Sequence, residues 1–181
     1  MRTKISRFFA GEGQAASPAA PSGVAPVAPD AAQVAAETPA TSVKAPAPVA
    51  AVAARGSDPA QLQRLGDQHY YGRGVPQNYG EALACYRAAA EAGNVAAMAN
   101  VGWMHHAGLG TERNETQAFE WYRRAADAGN AYALKNLALL HRDGLGTKQD
   151  FALAFACAKK AAELGDGGAM HLLGVLYRSE E

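Results

Sequence analysis

Nine glycines in the C-terminal two thirds of the chain recur with a constant step of 36 residues. They form three columns, which are Gly72, Gly108 and Gly144; Gly74, Gly110 and Gly146; and Gly93, Gly129 and Gly165. Apolar positions such as Leu65, Val101 and Leu137 keep the same step. A fixed period of roughly 20–50 residues is typical of a repeat architecture, in which each unit buries its apolar face against its neighbours. The chain is therefore predicted to fold as a stack of similar units.

Each unit is predicted to hold two helices joined by a Gly-x-Gly turn. In the second unit, Met98, Val101, Met104 and His105 fall on one face at helical spacing, as expected for a first helix. The second helices follow good N-cap residues, and two of them have Glu or Gln three residues later, which predicts capping boxes. The fold class is therefore all-α, an α/α solenoid of about three and a half helix-turn-helix repeats. The N-caps and their partners are Asn78 with Glu81, Asn114 with Gln117, and Asp150.

The first 57 residues differ in composition from the repeats. Residues 10–60 hold 19 alanines and eight of the nine prolines but no aromatic residue. Proline removes a backbone donor and favours extended backbone before it, and a segment without large side chains gains too little from burial to fold. We therefore predict a disordered linker over residues 10–57, followed by a repeat array over 58–181. Its units are 59–94, 95–130, 131–166 and a partial unit, 167–181.

Residues 1–9 form a short basic and aromatic peptide that ends in Phe8 and Phe9. Such a peptide suits docking to a partner protein or to an anionic membrane surface, although an unordered terminus is the simpler interpretation. A secretory signal needs an apolar core of roughly 7–15 residues, and Gly11 interrupts this one at once. No apolar run approaches the ~20 residues of a membrane span. A cytoplasmic location is therefore expected.

Charge and cysteine content argue against several classes of function. The 17 Lys and Arg residues balance the 17 Asp and Glu residues, so the chain has no overall basic field for nucleic acid. Cys85 and Cys157 occupy equivalent positions two repeats apart, on the order of 20 Å, whereas a disulfide needs Cα atoms within about 7 Å. We interpret both as small apolar residues in a reducing compartment.

Three histidines, His69, His105 and His141, share one column. Packed helices are separated by about 8–10 Å, so equivalent side chains in stacked units lie too far apart to share a metal ion. We interpret these histidines as semi-buried side chains that donate to a loop carbonyl. The Gly-x-Gly turns are not nucleotide-binding loops, because they recur in every unit and follow no strand. No catalytic residue, cofactor or metal site is predicted.

The motif shared by the units resembles the Sel1-like repeat, a relative of the tetratricopeptide repeat. It reads Leu-Gly-x₂-aromatic-x₂-Gly-x-Gly, and then Ala, Tyr or Trp, Ala-Ala and Gly-Asn or Gly-Asp at fixed spacing over residues 59–181. Where that family has Tyr before the turn, this chain has the three histidines, and Tyr177 only in the last unit. The resemblance implies a solenoid whose first helices line a concave ligand-binding face.

Positions on the first helices that vary between units are the candidate partner-binding residues. Trp103 is not required by the repeat and has polar neighbours, as in an interface hot spot. Lys135 and Arg142, with Asn136, suit an acidic side chain or the C-terminal carboxylate of an extended peptide. Alternatively, Trp103 and Leu139 simply pack against a neighbouring helix. The full set of candidates is Asp67, Tyr70, Asn100, Trp103, His106, Lys135, Asn136, Leu139 and Arg142.

The predicted function is a non-catalytic adaptor or scaffold that binds a protein or peptide on this face. One alternative is a secreted or envelope-associated hydrolase or accessory factor for cell-wall peptides. It is implied by relatives with paired cysteines in each repeat, whereas this chain has single cysteines in units one and three. Another is a module tethered to a membrane through residues 1–9. The helix predicted from Gly168 either caps the array or mediates end-to-end self-association.

Overall fold

The computed structural model describes residues 58–178, which form seven helices and no strand. The predicted all-α solenoid is confirmed. Successive helices pack in order, so that each Gly-x-Gly turn joins two helices of one unit and each Gly-Asn or Gly-Asp step leads to the next unit. The interpretation of residues 1–57 falls outside the described range. The helices are α1 (Pro59–Tyr71), α2 (Tyr79–Glu91), α3 (Val95–Ala107), α4 (Glu115–Asp127), α5 (Ala131–Asp143), α6 (Phe151–Glu163) and α7 (Gly167–Arg178).

The helices begin and end at the residues that local chemistry favours. The side chains of Asn78, Asn114 and Asp150 accept hydrogen bonds from amides in the first turns of α2, α4 and α6. At the other end, α1, α3 and α5 stop at glycines with φ of 68–69°, a left-handed conformation that closes a helix. Within residues 58–178, no helix has the length and apolar character to cross a bilayer.

The capping boxes form differently from the prediction. The amide of each N-cap residue, which a capping box would pair with Glu81 or Gln117, donates to the carbonyl of a histidine in the preceding helix. These bonds run from Asn78 to His69 (2.9 Å), from Asn114 to His105 (2.8 Å) and from Asp150 to His141 (2.8 Å). The carbonyls near the end of a helix lack intrahelical partners, and the turn folds back to satisfy one of them.

Two kinds of close approach determine how the helices pack, one within a unit and one between units. A Cβ atom at Gly66 would lie 2.5 Å from the Tyr86 ring, and one at Gly102 would lie 2.9 Å from the Tyr122 ring, so glycine admits a tyrosine from the second helix. The backbone of Gly110 lies against the start of α2, where an added Cβ would be 2.8 Å from the amide nitrogen of Gly80. The turn of one unit therefore rests on the second helix of the unit before it.

Candidate functional site

A cleft lies where the first unit meets the second. We call this contact of α1 and α2 with α3 the first junction, and the cleft the first-junction pocket. It is partly open, and the space in it that can hold a water-sized group is about 10 Å³. Each of the three helices contributes, because the end of α1, the middle of α2 and the second half of α3 face one another. Its lining residues are Asp67, Tyr70, Tyr71, Tyr86, Asn100, Trp103 and Met104.

Aromatic rings form most of the wall. The Tyr70 ring meets the Tyr71 ring edge to face, with 4.8 Å between centroids, and lies 6.5 Å from the Tyr86 ring. The indole N–H of Trp103 donates to the Tyr70 hydroxyl oxygen at 3.1 Å. Trp103 and Tyr70 are each only 8% exposed. This buried hydrogen bond joins α3 to α1, so it fixes the relative position of two adjacent first helices.

The polar end of the pocket is a carboxylate. Asp67 Oδ1 accepts a hydrogen bond from the Tyr86 hydroxyl at 2.7 Å and from the Gln63 side-chain amide at 3.3 Å. Burial raises the pKa of Asp67, opposed by these two hydrogen bonds and by the charge of Arg73. Burial and the adjacent carboxyl group also raise the pKa of Tyr86. Both hydrogen bonds use Oδ1, which leaves Oδ2 for a ligand.

Four of the nine candidate residues line this pocket: Asp67, Tyr70, Asn100 and Trp103. Sequence analysis missed two of its aromatic residues, Tyr71 and Tyr86. The signal for Tyr86 was present in the pairing of Gly66 with Tyr86 and of Gly102 with Tyr122, since a repeated small residue marks a close approach. Both interpretations of Trp103 apply, because its side chain packs against a neighbouring helix and also lines the pocket.

The other five candidates lie further along the array, where intramolecular contacts engage them. His106 Nδ1 lies 2.8 Å from Glu115 Oε2, and its ring centroid is 5.9 Å from that of Trp103. Arg142 donates two hydrogen bonds to the Asp143 carboxylate, at 2.7 and 2.8 Å, and these raise its pKa. Recognition of a carboxylate by this region stays a prediction, and it would require that ion pair to open. The remaining three are Lys135, which lies 4.7 Å from the Tyr132 ring centroid, Asn136, which donates to the Tyr132 carbonyl at 2.8 Å, and Leu139, which packs against a buried cluster.

The histidine column differs from its interpretation. His105 and His141 are only 6% and 8% exposed, more buried than expected. Neither ring nitrogen of His105, nor Nδ1 of His141, has a hydrogen-bond partner among the described residues, so the expected donation to a loop carbonyl is wrong for His105. The carbonyls of these residues are instead acceptors for the N-cap amides. Burial and the charge of Arg87 lower the pKa of His105.

Cysteines and potential metal ligands are dispersed through the array. Cys85 is buried and Cys157 half-buried, and no disulfide bond joins them. Burial raises the pKa of the Cys157 thiol. In residues 58–178, no group of three His, Cys, Asp or Glu side chains lies close enough together to hold a metal ion.

The stacked helix pairs and their glycine turns define a helical repeat protein of the α/α solenoid class. A family profile of the Sel1 repeat matches residues 62–94, 95–130 and 131–166. The chain therefore belongs to the Sel1 repeat family, which confirms the resemblance seen in the sequence. Arrays of this family are generally protein-interaction scaffolds and typically non-catalytic. No curated protein sequence matches the chain significantly.

Solved structures share the fold. A Sel1 repeat protein from Oxalobacter formigenes is 36% identical, with 70% of this chain and 94% of that chain covered and a TM-score of 0.61. A protective antigen of uropathogenic Escherichia coli with an SLR fold is 33% identical over 68% of this chain, with a TM-score of 0.65. The match spans 26% of that antigen, so this chain corresponds to about a quarter of its length. Cysteine rich protein B of Helicobacter pylori, 16% identical with 63% and 92% of the two chains covered and a TM-score of 0.53, shows the fold alone.

Proposed function

We propose that this chain is a non-catalytic scaffold that binds a partner protein or peptide, with the first-junction pocket as its principal contact. The observation that carries the proposal is the convergence of Asp67, Asn100 and several aromatic rings from three helices in one cleft. Buried aromatic side chains beside polar groups are typical of binding hot spots. The family supports the scaffold class, and the pocket supports this location for the contact.

The pocket combines a rigid wall with available polar groups. Hydrogen bonds hold Trp103 to Tyr70 and Tyr86 to Asp67, so a ligand meets a preformed surface. The side chain of Asn100 is half-buried and makes no hydrogen bond to any described residue, whereas the equivalent Asn136 donates to a backbone carbonyl. The Asn100 amide is therefore free to donate to and accept from a ligand.

A peptide selection with matched variants tests this proposal. The full chain would be panned against a random peptide library, and the affinities of enriched peptides measured by fluorescence anisotropy. Asn100→Arg places a long side chain at the pocket, whereas Asn136→Arg makes the same change one repeat further on. We expect Asn100→Arg to weaken binding at least ten-fold and Asn136→Arg to leave it within two-fold. Circular dichroism would check that both variants fold.

Two results would contradict the proposal. Equal binding by wild type and Asn100→Arg would place the contact elsewhere on the array. A selection that enriches no peptide would argue against recognition of short peptides by this chain. We do not propose the hydrolase alternative, because no observation favours it, and the membrane alternative rests on residues 1–9, outside the described range.

We also propose that the C-terminal end of the array associates with a second copy. In residues 58–178, the five most exposed large apolar side chains all lie in or beside α6 and α7: Phe151, Leu153, Leu164, Met170 and Tyr177. Exposed apolar side chains concentrated at one end of an array favour association. Light scattering across a concentration series should show dimers that Met170→Glu removes and that the change at its exposed neighbour, His171→Glu, keeps. A strict monomer at the highest concentration would contradict this proposal.

A further inference from the structure

The chemistry of the first-junction pocket points to one kind of ligand group. We propose that it binds a single positively charged side-chain end, the ammonium of a lysine or the guanidinium of an arginine in the partner peptide. This inference rests on the proposed function, because it names the group that the same pocket recognises. It differs from the sequence-based hypothesis, which assigned an acidic group to the partner and used Lys135 and Arg142 to bind it.

The aromatic wall favours a cation. Four of the seven lining residues carry aromatic rings, and they surround one cleft from three helices. A ring face carries a negative electrostatic potential, so a cation within about 6 Å of a ring centroid is attracted, most strongly by Trp. The buried Trp103–Tyr70 hydrogen bond fixes this wall in place before a ligand arrives.

The carboxyl group of Asp67 adds a complementary charge. It lies in the cleft with the Tyr86 hydroxyl and the Gln63 amide both donating to Oδ1. Burial disfavours the ionised form, and a bound cation would offset that cost. A charge-assisted hydrogen bond from an ammonium or guanidinium to Oδ2 is therefore the strongest polar contact that this pocket offers.

Arg73 already shows this interaction at the edge of the pocket. Its guanidinium carbon lies 4.5 Å from the centroid of the Tyr71 ring, and its positive charge acts on Asp67. Arg73 is exposed and sits in the Gly72–Gly74 turn. A cation from a partner would meet the same ring and carboxylate that attract this one.

The size of the cleft limits its ligand to one group. The space in it that can hold a water-sized group is about 10 Å³, whereas sites for drug-sized molecules and cofactors enclose about 300–1,000 Å³. Only the tip of one side chain fits this scale. The rest of the peptide would lie outside the cleft, against the half-buried first-helix residues.

The second junction, where α3 and α4 meet α5, has no carboxyl group at the position of Asp67. One repeat on, the Asp67 column holds Trp103, the Tyr70 column holds His106 and the Tyr71 column holds Ala107. The tyrosine column is kept, as Tyr122, but its buried hydroxyl interacts with Tyr132 and not with a carboxyl group at the Asp67 position. Recognition of a cation is therefore assigned to the first junction alone.

Small charged and neutral probes test the proposal on the full chain. N-acetyl-lysine amide and N-acetyl-arginine amide would be titrated while the indole N–H signals of Trp103 and Trp121 are followed by nuclear magnetic resonance. Norleucine and citrulline derivatives are their neutral analogues. We expect saturable shifts of the Trp103 signal with the charged probes, at least five-fold weaker binding of the neutral analogues, and an unchanged Trp121 signal. Comparison of the two charged probes distinguishes ammonium from guanidinium.

Substitution of the carboxyl group provides the matched variants. Asp67→Asn retains the shape of the side chain and an oxygen that accepts from Tyr86, but removes the charge, so we expect at least a ten-fold loss of affinity for the charged probes. Asp143→Asn, an exposed carboxylate on α5, should change it less than two-fold. Arg73→Ala should strengthen binding by a small factor, because a competing cation is removed.

Three outcomes would overturn the inference. These are equal binding of charged and neutral probes, unchanged binding by Asp67→Asn, and loss of binding by Arg73→Ala, which would identify an anion site. Failure of the proposed function is distinguishable from these. If Asn100→Arg abolishes peptide binding but Asp67→Asn does not, the pocket is a binding site and only its preference for a cation is wrong.

Discussion

The first and second junctions are built from equivalent residues of successive repeats. They differ at the position that follows the helix glycine, which is Gly66 in the first unit and Gly102 in the second. At the first junction this position is Asp67, which accepts the hydrogen bond of Tyr86. At the second junction it is Trp103, and the buried Tyr122 hydroxyl interacts with Tyr132 of α5 instead. A single column therefore decides which group meets the buried tyrosine hydroxyl, while the repeat itself is maintained.

The third unit shows a further variation on the same packing. Its residues at the Gly66 and Tyr86 positions are Ala138 and Ala158, both fully buried in one cluster. The two changes compensate each other, because a smaller partner leaves room for the methyl group of alanine. Glycine is therefore needed at this position to leave room for the tyrosine ring, and the helix itself does not require it.

The largest expected effect is a difference in stability between alanine substitutions at two equivalent turn glycines, Gly110 and Gly74. Gly110 has φ of 70° and lies against the backbone of α2, whereas Gly74 has φ of 76° and open space around it. We expect Gly110→Ala to cost roughly 3 kcal/mol or more, since backbone must move and a left-handed residue is strained, and Gly74→Ala to cost about 1–2 kcal/mol from strain alone. Urea denaturation measures both, and equal losses would show that unit stacking does not depend on this contact.

Removal of one hydroxyl compares the two junctions directly. Tyr86→Phe removes the donor to Asp67 and should cost about 1.5–3 kcal/mol, the range for hydrogen bonds to charged groups. Tyr122→Phe removes a buried hydroxyl whose neighbour is the uncharged Tyr132, so it should cost less, about 0.5–1.5 kcal/mol. The free energy of unfolding of each variant would be measured by chemical denaturation. A similar loss in both would mean that the charge of Asp67 adds nothing to the hydrogen bond at the first junction.

A double-mutant cycle tests the pairing of glycine with tyrosine. Gly66→Ala alone should cost about 1–3 kcal/mol, because its Cβ would meet the Tyr86 ring. In a Tyr86→Ala background, which reproduces Ala138 and Ala158 of the third unit, the same change should cost close to zero. Equal losses in both backgrounds would attribute the cost to the helix and not to the ring.

Local signals explain how much of the fold could be predicted. The N-caps Asn78, Asn114 and Asp150 and the left-handed glycines act within a few residues of their position, so helix bounds followed from the sequence. One half of each capping box formed as predicted, because Asn78 and Asn114 accept from the amides of Glu81 and Gln117. The other half did not, because the N-cap amides bond to histidine carbonyls nine residues earlier, a contact that depends on the fold of the turn.

The pocket could be predicted only in part for a related reason. The column argument identified Asp67, Tyr70, Asn100 and Trp103 as variable first-helix residues. It did not include Tyr86, because that side chain reaches the cleft from a second helix through the gap above Gly66. It also did not anticipate the ion pair of Arg142 with Asp143, which engages the proposed carboxylate-binding residue within the chain.

The smallest expected effect concerns His105, a buried histidine of α3. The lowered pKa of His105 means that the folded chain disfavours its protonated form, whereas the unfolded chain takes up the proton near the ordinary value of about 6.5. The free energy of unfolding should therefore fall as pH falls from 7.5 to 5.5, until the lowered pKa is passed. His105→Gln should remove this part of the pH dependence, since glutamine does not titrate. Parallel denaturation series at the two pH values give the difference directly. An identical pH dependence in wild type and variant would show that the imidazole is accessible to protons in the folded state.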